Sequence, residues 1–108
     1  MSKITIAEAT NLINEFGVVL EDLYWESNSL DSKDRVFVTI SLLTKELMEL
    51  QKVSVQDDHY DYEVISTKAS TLRDCVKDLQ DSVLPEVIRV ETKQRIAPFI
   101  EQSLDVFG

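Results

Sequence analysis

The sequence predicts an all-α protein, an antiparallel bundle of three long helices plus a broken C-terminal helix. Three observations predict it. Apolar residues recur at helical steps of three and four in three separate stretches: Ile6 to Leu23, Val36 to Leu50, and Tyr62 to Val83. Only two Gly and two Pro punctuate the 108 residues, too few for the turns that many short strands need. An apolar content of 44% with 29% charged residues is that of a packed chain, and the length suits a single domain spanning 1–108.

The first helix is expected over residues 4–26. Thr5 and Glu8 have capping-box spacing, with Ile4 before the cap and Ala9 one turn in. Gly17 weakens the interior by about 1 kcal/mol against Ala and marks a bend or a close helix crossing. Its apolar seam, Ile6, Ala9, Ile13, Phe16, Leu20 and Leu23, is widened by Tyr24 and Trp25, which predicts more than one neighbour. Glu8, Glu15, Glu21, Asp22 and Glu26 occupy the opposite face. With Asp31 they set six acids against one Lys over residues 1–31, more than half of the total charge of −9.

A loop, Ser-Asn-Ser-Leu-Asp at 27–31, leads to a second helix capped by Asp31 and running to about Lys52. Its seam reads Val36, Ile40, Leu43, Leu47 and Leu50, and Phe37 with Met48 on a neighbouring stripe predicts contact on two sides. Residues 53–59 form the next connection. Asp58, with Asp61 three residues on, is expected to start a third helix that continues to Val83 or Leu84. Pro85 fits the first turn of a fourth helix, which Pro98 should kink or break. Trp25, Phe99 and Phe107 lie near helix ends or in the last segment, leaving large apolar groups spare for a second subunit and predicting a homodimer.

Charge and motif content narrow the function classes. With 20 acidic against 11 basic residues, direct binding to nucleic acid or an anionic membrane is disfavoured. No run is long enough to span a bilayer and the N-terminus lacks a signal-peptide pattern, so a cytoplasmic location is expected. A single cysteine, Cys75, beside the seam residue Val76, reads as a packing thiol. Asp57, Asp58, His59, Tyr60 and Asp61 hold several metal-ligand types, but a helix start rich in acids accounts for them. Arg89, Lys93 and Arg95, mixed with Glu86 and Glu91, form the one basic concentration, available to an acidic first helix of another copy.

Glu46 with Glu49, and Asp78 with Asp81, are each spaced by three, so each pair shares a helix face. Brought together, the four carboxylates would hold one or two Mg²⁺ ions that polarise a phosphate. In this spacing the chain resembles the all-α nucleoside triphosphate pyrophosphatases, whose motif is Glu-x-x-Glu followed by Glu-x-x-Asp. The resemblance covers these four positions alone, and the second pair here is Asp-x-x-Asp. It implies a metal-dependent enzyme as the alternative function. Register opposes it, because helices joined near 53–58 set Glu49 closer to Tyr62 than to Asp78. The leading expectation is a small acidic interaction protein without a cofactor. It takes a basic protein partner through Glu8, Glu15, Glu21, Asp22 and Glu26 or through an apolar groove, with an immunity, antitoxin or DNA-mimic inhibitor as the sharper form.

Overall fold

A complete local cap starts the first helix where the sequence places it. The computed structural model describes residues 3–108, and within them α1 spans Ile6–Glu26. The Thr5 hydroxyl accepts from the Glu8 amide at 3.1 Å, and Glu8 Oε1 accepts from the Thr5 amide at 3.1 Å, closing the capping box. The second helix, α2, spans Leu30–Leu50 and is capped by Ser29, whose hydroxyl accepts from the Ser32 amide at 3.1 Å. Asp31, expected as that cap, is instead the second residue of the helix, inside its first turn. There it complements the helix dipole and holds Arg35 at 2.9 Å.

The third helix is shorter than expected. α3 spans Ala69–Asp78 and passes into a π-helical turn at Leu79–Val83 and a 3₁₀ turn at Leu84–Glu86 that takes Pro85 in its first positions. Leu72, Val76, Leu79 and Val83 are all buried, so the seam continues through the π turn. Residues 51–68 are not helical. They form a strap across the start of α1, with Thr5 and Asp61 paired in a single antiparallel bridge. Tyr62 and Val64 turn towards the core, while Asp61, Glu63 and Ile65 face out. That two-residue period belongs to extended chain, and the helical step from Tyr62 to Ile65 has no structural counterpart.

α4 spans Val90–Phe107 with Pro98 inside it, so the expected break is absent. Pro98 lies on the exposed side, where the carbonyl it leaves without a donor can meet water. On the other side Ile96, Ile100 and Phe107 are buried, and Phe99 stacks on Phe16 of α1 with centroids 5.9 Å apart. Burial on both sides of the proline outweighs the lost hydrogen bond. The all-α fold is thus four helices among the described residues: α1 packs on α2 and α4, and α3 packs on the same two, in a rod 43 Å long and 21 Å across. No helix among the described residues is long and apolar enough to cross a membrane.

Two apolar expectations change. Of Trp25, Phe99 and Phe107, only Trp25 is left outside the core, 72% exposed. Phe37 and Met48 also stay exposed, so among the described residues no second neighbour covers that side of α2. Removing the proline should lengthen the hydrogen-bonded run of α4 at no packing cost. Pro98→Ala is expected to raise the stability by about 1 to 2 kcal/mol, read as a higher urea midpoint with an unchanged slope.

Candidate functional site

The most constrained group in the molecule is one of the proposed metal ligands, Glu46. Burial along α2 follows Val36, Thr39, Leu43, Glu46 and Leu50, a stripe rotated slightly from the one through Ile40 and Leu47. It carries Glu46 fully inside, at 0% exposure. No cation among the described residues meets it there. Instead Oε2 accepts from the Tyr62 hydroxyl at 2.6 Å and the Ile65 amide at 3.0 Å, while Oε1 accepts from the Ser66 amide at 2.8 Å and the Ser66 hydroxyl at 2.7 Å. Four donors on two oxygens are what an ionised carboxylate needs to leave water. Burial first, then the hydrogen bond to Glu46 and its charge, push the Tyr62 phenol far above its usual range, so it remains a donor.

The remaining members of the set do not join it. Glu49 binds Lys52 at 3.0 Å. Asp78 is bound to Arg35, eleven residues and about 16 Å along α2 from Glu46. Asp81 pairs with Lys77 at 3.7 Å. Among the described residues no three His, Cys, Asp or Glu side chains converge on a point that would hold a metal ion. The strap acids are also differently employed. Asp58 and Tyr60 offer their backbone carbonyls to the Ala7 and Ile6 amides, each at 2.9 Å, filling the free donors of α1, and His59 stacks on Tyr60. Cys75 is half-buried, and burial, then Asp78 and Asp74, push its thiol up, away from nucleophilic character.

The five acids of α1 divide between two flanks. Glu8, Glu15, Asp22 and Glu26 follow steps of seven, seven and four along one row. α4 covers the end of that row: Arg95 meets Asp22 at 3.0 Å, and Glu26 accepts from the buried Thr92 hydroxyl at 2.6 Å with Arg89 at 3.6 Å. The basic cluster 89–95 therefore meets the acidic helix of its own chain. Glu8 is committed to the cap, and Glu15 is exposed with no ion pair among the described residues.

Glu21 alone lies on the opposite flank, beside α2. There a recess of about 440 Å³ is lined by Gly17, Glu21, Tyr24, Trp25, Phe37 and Ile40. It continues through Gly17, Glu21 and Ile40 into a second recess of about 230 Å³ that reaches Ile13 and Leu47. Past Trp25 a third recess of about 380 Å³ is walled by Val87, Ile88 and Arg89, with Ile88 81% exposed. Trp25 is thus the ridge between two hollows, a mostly apolar one towards Phe37 and a mixed one that also takes in Glu26, Asn28 and Arg89. Sequence reading set Trp25 aside as spare but did not join it to Phe37, because the two lie on different helices.

The Glu46 contacts predict two measurable effects. Glu46→Gln leaves one oxygen to accept and turns an amide towards donors, so it should lose roughly 2 to 3 kcal/mol in urea unfolding, with faster hydrogen exchange at the Ile65 and Ser66 amides. Tyr62→Phe should lose about 1.5 kcal/mol at pH 8. Because folding raises the Tyr62 pKa, the wild-type advantage is complete below the ordinary phenol value near 10 and declines above it. It should shrink by about 1.4 kcal/mol per pH unit there and vanish by roughly pH 11. No known protein family, curated protein or solved structure matches the chain.

Proposed function

We propose that this chain is a non-catalytic interaction protein that takes a basic protein partner on the α1 surface around Trp25. The observation that carries the reading is Trp25 itself, 72% exposed on the rim of a mostly apolar recess and beside the half-exposed Phe37. An indole left in water next to a shaped apolar hollow resembles the anchor of a protein interface, where Trp is enriched and desolvation supplies the affinity. The acidic surplus would draw a basic partner from a distance, and the recess would hold it.

Support also comes from how the carboxylates are used. Glu46, Glu49, Asp78 and Asp81 each serve a separate structural contact. A phosphate-mimicking inhibitor would draw on the row Glu8, Glu15, Asp22 and Glu26, of which α4 engages two. The apolar ridge is therefore the better-supplied contact.

A photoreactive phenylalanine analogue placed at Trp25, and separately at Val55 on the exposed strap, tests the reading in lysate from the protein's own source. Trp25 should yield one discrete adduct whose amount falls in about 0.5 M salt, and Val55 should not. Identical adducts from both positions, or none from either, would end it.

A further inference from the structure

The groove between α1 and α2 has the dimensions and chemistry of a helix receptor. From Ile13 to Trp25 it runs twelve residues along α1, about 18 Å, or three turns of helix. Its walls are two packed helices, and its polar lining, Asn14, Thr44 and Glu21, is side chain rather than open backbone. An extended peptide would find no free ladder of amides and carbonyls, whereas a helix satisfies its own backbone and needs only side-chain complementarity. Gly17, with no side chain, leaves the floor low. A Cβ built there meets nothing within 4 Å, so space remains for a close approach at the midpoint of the groove.

Charge decides what kind of helix. α1 carries five acids and no basic residue. Glu21 lines both recesses of the groove and has no ion-pair partner among the described residues. The cation at the Trp25 end, Lys33, is already committed: its ammonium donates to the Tyr24 carbonyl at 2.8 Å and lies 4.5 and 5.4 Å from the Tyr24 and Trp25 ring centres. A second copy of this chain would bring another surplus of nine negative charges and, at this face, the same engaged lysine. An isologous pairing would therefore leave two copies of Glu21 uncompensated.

Resting on the proposed binding role, we infer that the α1–α2 groove receives an amphipathic, basic helix of a partner protein. Three turns of it place apolar residues on Val18, Trp25 and Phe37 and a Lys or Arg against Glu21.

The chain's single tryptophan makes the test direct, since all indole emission comes from Trp25 at the end of the groove. Val18 lines the groove on the far side of Gly17 and not the recess beyond Trp25, so its variant separates the two. The probe is the 14-residue peptide (LKKLLKL)₂, which has no tryptophan, with (LEELLEL)₂ as its charge-reversed counterpart. The basic peptide should shift Trp25 emission to the blue with saturation, and the acidic one should not. Glu21→Lys should weaken the basic peptide about tenfold, and Val18→Glu should abolish the shift. Val55→Glu makes the same charge change at a site 84% exposed on the strap and should leave binding intact. All three variants alter exposed positions, and their helical circular dichroism should match the wild type. Equal binding by Val18→Glu and Val55→Glu, or by both peptides, overturns the inference. So does a blue shift that grows with protein concentration alone together with sedimentation at twice the chain mass, which assigns the groove to a second copy. If neither peptide shifts Trp25 while the photoreactive residue there still captures one protein, the helix chemistry is wrong and the binding role stands.

Discussion

A single carboxylate, removed from water without a counter-ion, sets the terms for the rest of the molecule. Glu46 has four donors and, among the described residues, no cation, and all four donors belong to the strap between α2 and α3. Wherever Glu46 goes, the strap must follow, since an unmet buried charge costs several kcal/mol. With the strap fixed, its carbonyls at Asp58 and Tyr60 reach the start of α1, and the Tyr62 ring meets Phe107 at the end of α4 with centroids 6.5 Å apart. One polar contact thereby registers three helices against each other. α2 tolerates it because half of its buried set is polar: Ser32 binds Glu86, Thr39 binds the Arg35 carbonyl, and Glu46 binds the strap.

The parts legible in the sequence are those decided locally. Thr5 and Glu8 need only each other, so the start of α1 could be read from two letters three apart. The seam of α1 is apolar on every buried position, and the expected Ala9, Ile13, Phe16, Leu20 and Leu23 all lie in it, joined by Leu12 and Val19. α2 was harder, because its buried stripe includes Thr39 and Glu46, and a search for apolar residues selects Ile40 and Leu47 instead. The spacing Val36, Thr39, Leu43, Glu46, Leu50 was present in the letters; what they lacked was any sign that a charged residue had donors waiting. Those donors lie in the strap, whose own partner is the cap of a distant helix. Pro98 misled for the opposite reason, since a strong local rule yielded to burial contributed by α1.

The candidate surface shows the same division. Acidic residues at 8, 15, 21, 22 and 26 were visible as a set, but their separation into a row facing α4 and a lone Glu21 facing α2 depends on packing. α4 brings Arg89 and Arg95 to the row, leaving the apolar flank with the less compensated carboxylate. A surface that looked like a uniform acidic face is two surfaces of different chemistry, divided by the ridge at Trp25.

The polar bridges also differ in how much chain each must close. The Glu46 latch joins residues 16 to 20 apart, whereas Ser32 to Glu86, Glu26 to Thr92 and Asp22 to Arg95 span 54, 66 and 73. Closure entropy rises with loop length and falls first on the longest loops. The latch on α2 therefore closes with only the residues up to Ser66 in hand, whereas the α4 bridges need nearly the whole chain. During synthesis the acidic row of α1 emerges long before the arginines that cover it. Between those two moments the nascent protein shows its surroundings a more negative face than the folded one ever does.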